Sequence, residues 1–219
     1  MFKTFGLQVR RDGLDHAGYV RHWLGVHAPM CEGVAALRGY VANEVIRAGD
    51  ALAVARTHPQ FGATLDGIAQ LHVDTQDGLA RLAEPPEVQR WFEDGPNFVG
   101  QRTGFLTAEQ VVRSPDRAGR PIKAIGFVHG DATRLEAVIR ALAGQEPGGL
   151  VYSTVDTVTG STNLPGFEVP DITGAVELWA VDEAEAEAAL VRLATALNDA
   201  GTLVGAVVTR EHVIRMPPQ

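Results

Sequence analysis

Thr107-Ala108-Glu109-Gln110-Val111-Val112-Arg113 returns, little changed, as Thr209-Arg210-Glu211-His212-Val213-Ile214-Arg215. A second pair stands upstream of each in the same order: Asp66-Gly67-Ile68-Ala69-Gln70-Leu71-His72 and Thr173-Gly174-Ala175-Val176-Glu177-Leu178-Trp179. Two matches in one order point to an internal duplication of about a hundred residues. A duplicated unit can pair with itself and enclose a pocket.

Working outward from those lines, the first half reads as a strand over 3–10, a turn at Asp12-Gly13 and a helix over 15–37 with Asp15 as its cap. Gly18, Gly25 and Pro29 weaken that helix, and Pro29 is expected to kink or end its first section. A strand follows over 38–47, then a long loop over 48–65, and a strand over 66–74 that alternates Ile68/Gln70/His72 against Ala69/Leu71/Val73. A helix broken by Pro85-Pro86 spans 75–94, and a strand spans 105–113. The second half repeats the order. A strand covers 121–128, and Asp131 caps a helix with Leu135, Val138, Ile139 and Leu142 on one stripe, stopped by Gly144. Strands follow over 149–159 and 174–181, with a Gly- and Pro-rich loop over 161–171 between them. Asp182, with Glu185 in capping-box position, opens a last helix that Gly201 ends, and the final strand covers 204–216. Each half is thus β-α-β-β-α-β, the ferredoxin-like pattern. The expected class is α+β: repeats at 1–114 and 120–219, joined by a linker with Pro115 and Gly119, form a pseudo-dimeric α/β barrel of antiparallel sheets. The argument is topological. Such a sheet covers one face with its two helices and must bury the other face against something else.

The chain has 219 residues, 45% of them hydrophobic, with 19 Lys+Arg against 27 Asp+Glu. The acidic balance, heavier in the second half, argues against nucleic acid, which needs a clustered basic surface. Cys31 is the single cysteine, so no disulfide framework forms within the chain, and a reducing compartment is expected. The N-terminus shows no signal-peptide pattern and no apolar run reaches the roughly 20 residues of a membrane span. A cytoplasmic protein without a membrane partner is expected, with a homodimer open.

The first helix carries the chemistry. At about 100° per residue, His16, Val20, Trp23 and His27 fall within roughly 60° of one another, while His22 points away. The second half has no such line. A histidine titrates near neutrality and serves as general acid or base. His27 is the first catalytic candidate, and His72 joins it if the Ile68/Gln70/His72 side of its strand faces the enclosure. Gln70, with Tyr40 or Asn43, can supply hydrogen bonds to a substrate oxygen; Trp23 and Trp179 can wall it. No metal is expected, because His22 and His27 stand five apart and not at the i, i+4 spacing that pairs ligands. No P-loop or Gly-x-Gly-x-x-Gly follows a strand, and no cofactor is expected. His27 or His129 could serve as an axial haem ligand, but nothing in the sequence selects that. The acidic stretches at 131–136 and 182–187 read as solvated helix starts.

The lines YVRHWLGVHAP (19–29), LRGYVANEV (37–45), DGIAQLHVD (66–74), EVQRWFEDGPNFVG (87–100) and TAEQVV (107–112) resemble the EthD-like family of the dimeric α/β-barrel superfamily. The resemblance covers about residues 1–113. Its most specific parts are His27-Ala28-Pro29, the strand at 66–74 and Asp94-x-x-Asn97-Phe98. Residues 120–219 resemble the fold more loosely and lack the His-bearing line, so one site per chain is expected. The resemblance implies a small cofactor-free enzyme with the family's histidine at His27. The expected activity is proton transfer (lyase, dehydratase, cyclase or isomerase) on a small apolar aromatic or polyketide-like metabolite. The alternatives are an oxidoreductase, either a cofactor-free monooxygenase or a haem-supported enzyme, and a non-enzymatic carrier.

Overall fold

A computed structural model describes residues 1–56, 65–78, 82, 85–158 and 171–217. Among the described residues eight strands follow one another: β1 (Phe2–Arg10), β2 (Gly39–Ala48), β3 (Gly67–Val73), β4 (Val99–Arg113), β5 (Ile122–Gly130), β6 (Leu150–Val158), β7 (Gly174–Ala180) and β8 (Gly201–Arg215). Among the described residues four α-helices with given bounds accompany them: α1 (His16–His22), α2 (Pro86–Asp94), α3 (Ala132–Leu142) and α4 (Glu183–Leu197). The strands close into one antiparallel barrel in the order β1-β3-β2-β8-β5-β7-β6-β4. Two seams join the halves, β2 to β8 and β4 to β6. The expected α+β barrel is therefore present, and it closes within one chain.

The two seam strands are longer than the sequence suggests. β4 and β8 have 15 residues each. Both need that length to pair twice. β4 lies along β1 through Val99–Ala108 and along β6 through Phe105–Arg113. β8 lies along β5 through Gly201–Arg210 and along β2 through Val207–Arg215. The reading of 105–113 found only the seam end, because Gly100, Gln101, Arg102 and Gly104 give the other end no apolar alternation.

Alternation along each strand sorts side chains to two faces. Inward-facing Phe5, Leu7, Val45, Ile68, Phe105, Ile125, Phe127, Ala175 and Val207 fill one end of the barrel. Outside, Tyr19, Trp23, Leu37, Tyr40, Leu71, Val88, Trp91 and Phe98 bind the first-half helices to the sheet. Leu135, Ile139, Leu190, Leu193 and Leu203 do the same in the second half. Asp131 and Asp182 cap α3 and α4, accepting from Arg134 N at 2.9 Å and Glu185 N at 2.8 Å. The return bond of Glu185 goes to Val181 N at 2.8 Å, one residue before the expected capping-box partner.

The long helix expected over 15–37 is cut short. After α1 the chain makes a π turn over Trp23–His27 and a 3₁₀ turn over Ala28–Cys31 with Pro29 in its first turn. Arg215 of β8 then holds the exit: its guanidinium donates to the carbonyls of Cys31 (3.1 Å), Glu32 (2.8 Å), Val34 (2.7 Å) and Leu37 (2.7 Å). Of the helix expected over 75–94 with a break at Pro85-Pro86, the section after the break is α2, which begins at Pro86, where a missing N–H does no harm; 79–81 and 83–84 lie outside the described residues. The expected loop at 48–65 begins with two 3₁₀ turns, Gly49–Ala51 and Ala53–Arg56, and its residues 57–64 lie outside the described residues, as do 161–170 of the expected loop at 161–171. Among the described residues, no helix is long and apolar enough to cross a membrane.

Candidate active site

The π turn decides which groups meet. Five residues on an ideal α-helix are about 140° apart, so His22 and His27 would diverge. Here Ala28 N–H bonds to Trp23 O, an i to i+5 link that widens the turn. Both imidazoles then reach one carboxylate. His22 Nε2 lies 3.1 Å from both oxygens of Asp94, and His27 Nδ1 lies 3.0 Å from its Oδ2. The expectation that His22 points away is corrected by this change of helical phase.

The opposite wall is α2. It presents Trp91 and Asp94, three residues apart and hence on one face. Asn97 adds a bond to Asp94 Oδ1 at 2.9 Å. Rings close around His27: Phe98 at 4.8 Å and Trp91 at 5.6 Å between centroids. His27 is 8% exposed. Burial lowers its pKa from 6.5, and the bond and charge of Asp94 only partly oppose that. The carboxyl of Asp94 is held below its ordinary 3.8: burial would raise it, but Asn97, His22 and His27 prevail. At neutral pH the arrangement is a neutral imidazole whose Nδ1–H donates to a carboxylate. Its Nε2 lone pair is then the basic position.

Trp23 and Tyr40 belong to the same outer layer. Trp23 Nε1 donates to Tyr40 Oη at 2.6 Å, and the Tyr40 ring lies 5.6 Å from Trp91. Burial pushes the Tyr40 hydroxyl well up, so it stays protonated. The indole N–H of Trp91 is buried with no partner among the described residues.

The remaining candidates stand on the other side of the sheet, inside the barrel. Asn43 Nδ2 donates to Gln70 Oε1 at 3.1 Å, and Gln70 Nε2 donates to Glu177 Oε2 at 2.9 Å. Glu177 is the hub of a buried ionic layer. It pairs with Lys3 and, at 3.0 Å, with Lys123. Lys3 also meets Glu109 at 2.6 Å, and Lys123 meets Glu211 at 2.7 Å. Burial would raise the pKa of Glu177, but Lys3 and Lys123 hold it at about 2. Trp179 donates to Glu211 at 2.9 Å, and His72 Nε2 lies 3.5 Å from Glu109. Burial lowers the pKa of His72 as well.

The structure therefore brings together His27, Trp23 and Tyr40 on one side and His72, Gln70, Asn43 and Trp179 on the other; His27 and His72 do not share an enclosure. His16 pairs with Asp66 at 2.9 Å and Glu44 at 3.6 Å, and His129 is exposed at the end of β5. Sequence reasoning missed the roles of His22, Trp91 and Asp94 as partners of His27. The Trp91-x-x-Asp94 spacing was the available signal. It also missed the ionic layer, although Glu109 and Glu211 lie in the very line that repeats. Among the described residues, no group of three or more His, Cys, Asp or Glu is placed to hold a metal ion.

Residues 11–102 match the family model for the EthD domain. No curated protein matches the chain. Among solved structures, a candidate monooxygenase from Fusobacterium nucleatum is 8% identical, covers 100% of this chain and 94% of its own, and superposes with a TM-score of 0.58. An anthrone oxidase-like protein is 7% identical, covers 100% of this chain and 96% of its own, with a TM-score of 0.53. An EthD family protein from Bacillus halodurans is 16% identical, covers 50% of this chain and 99% of its own, with a TM-score of 0.41. At these identities the first two show the fold alone.

Proposed function

We propose that this chain, with an EthD domain at residues 11–102, is a cofactor-independent enzyme that moves a proton on a small apolar aromatic or polyketide-like metabolite. One observation carries the reading: His27 is buried among aromatic rings with its Nδ1 on Asp94 at 3.0 Å. Nε2 takes a proton from an acidic C–H or O–H of the substrate. Asp94 fixes the tautomer and stabilises the imidazolium that forms. The unpartnered Trp91 N–H is a donor for the oxygen on which negative charge then develops. Phe98, Trp91 and Tyr40 supply apolar walls. The imidazolium returns the proton to a second carbon or to a departing hydroxyl, which gives isomerisation, cyclisation or dehydration. His27→Ala should lower turnover by about 10²–10⁴ while the circular dichroism spectrum stays native. Unchanged turnover on a true substrate would end this reading. So would tight binding with no turnover by the wild type, which selects the carrier alternative.

A second reading has a specific observation behind it: structures described as anthrone oxidase-like and as a monooxygenase candidate share the whole barrel. The same proton abstraction turns a hydroquinone or anthrone into an electron-rich anion that molecular oxygen can oxidise. Oxygen consumption in step with product, abolished by His27→Ala, selects this reading; turnover at full rate under argon removes it.

A further inference from the structure

The inner ionic layer is built twice, and its two ends differ by one cation. On the ladder, Lys3 of β1 stands beside His72 of β3 and Thr107 of β4. Lys123 of β5 stands in the same way beside Trp179 of β7 and Thr209 of β8. Thr107 and Thr209 each donate to the carbonyl of their lysine, at 2.8 and 3.0 Å. Each lysine reaches the glutamate of its own long strand, Glu109 or Glu211, and both reach Glu177.

Beyond that the ends diverge. In the second half, Glu211 accepts the Trp179 indole N–H at 2.9 Å and lies 3.2 Å from Arg117 Nε. The Arg117 guanidinium covers the Trp179 ring at 5.0 Å. One carboxylate thus serves a lysine, an indole and a guanidinium. In the first half, Glu109 faces Lys3 and His72, and no guanidinium joins them among the described residues. His72 takes the place of Trp179. It is 3% exposed, and its Nδ1 has no partner among the described residues. With Nε2–H turned to Glu109, that Nδ1 is an acceptor, where the indole offers only a donor. The Glu109 side chain is 11% exposed against 3% for Glu211, so this end is the more open to solvent.

We propose that the Glu109–His72 end of the barrel binds a small guanidinium or primary ammonium compound, seated against Glu109 as Arg117 is seated against Glu211. One N–H of the ligand donates to the Glu109 carboxylate and another to His72 Nδ1. The second half supplies the precedent for a lysine and a second cation sharing one carboxylate. This site is separate from that of His27, lies on the other face of the sheet, and does not depend on the proton-transfer reading.

N-methylguanidinium is the probe and N-methylurea its neutral isostere. In the full chain with isotope-labelled histidines, the His72 imidazole resonance, identified by its loss in His72→Phe, should shift and saturate with the cation and not with the urea. Broadening of the probe's methyl signal gives the affinity without any histidine. By that measure Glu109→Gln should weaken binding about tenfold, and His72→Phe should do the same if the first variant fails to fold. Three outcomes would overturn the proposal: no His72 response at millimolar probe, an equal response to the urea, or wild-type affinity in a folded Glu109→Gln or His72→Phe protein.

Discussion

Asp94 holds three side chains on one carboxylate, and the two imidazoles among them are not equivalent. His22 is the more exposed and straddles both oxygens; His27 is buried and meets one. Because burial lowers the pKa of His27 below 6.5, the acid limb of kcat/KM should fall below pH 6.5. Asp94→Asn removes the charge that favours imidazolium, so that limb should move further down in pH and the plateau should drop; a pH–rate profile checks both. An unmoved limb would separate Asp94 from the base. At Gly67 the constraint is steric: an added Cβ would run into Tyr19 and Trp23, both packed behind the His27 turn. Gly67→Ala should destabilise by about 1–3 kcal/mol in denaturant titration. At this scale the sequence was a partial guide. His27 and Trp23 stood out as candidates because imidazole and aromatic side chains at helical spacing share a face, and Tyr40 because it is an aromatic on the strand that follows. Asp94 stood out only through the resemblance, and neither it nor Trp91 could be read as a partner of His27, because their shared helix face acquires a meaning only once the facing element is known.

Among the elements, the Trp23–His27 turn sets the phase of the site. It was illegible because periodicity reasoning assumes 3.6 residues per turn, and a single wide turn leaves no mark on composition. The capped helices of the second half show the contrast: Asp131 and Asp182 sit where a side-chain cap is chemically required, and both are found capping. Deleting Val26, which is 49% exposed, removes the extra residue from the turn. The α-phase should return with His22 and His27 now four positions apart, about 40° around the helix, so both should keep Asp94 and activity should be retained with little change in melting temperature. Activity lost in a folded deletion variant would show that the site needs more from the wide turn than the alignment of the two imidazoles. Arg215 ties this region to β8 through four carbonyls. Arg215→Ala should cost about 1–3 kcal/mol of stability. It should also raise amide exchange at Cys31–Leu37 above that of α3.

For the whole molecule, the buried charges fix the pH range of stability. In the unfolded chain His27 and His72 protonate near 6.5, whereas the fold resists it, so stability drops as pH falls below that value. Glu177 adds a second loss: its contribution is full above 4.5 and disappears as pH falls toward about 2. Lys3 has the opposite sense. Glu177 and Glu109 outweigh the effect of burial and hold its pKa above 10.5, so its contribution persists at neutral pH and is lost only as pH rises through the raised value. Melting temperature should therefore be flat from neutral to mildly alkaline pH and decline in two stages toward acid. Lys3→Met should lower it throughout, because Glu109 and Glu177 would be left buried with one cation fewer. The barrel itself was legible from the repeated lines and the strand count, since an uncovered sheet face has to be buried. The ionic layer inside it was not, because charged residues on a strand read as solvent-facing until the barrel closes over them.

Closure of both seams by a single polypeptide frees the molecule from symmetry. In a barrel assembled from two identical subunits, every substitution appears at both ends, and a change that suits one end must be tolerated at the other. Here β2–β8 and β4–β6 are covalently tethered, so the His27 turn exists once, and His72 and Trp179 occupy matching seats with opposite hydrogen-bonding character. Each end is able to evolve on its own.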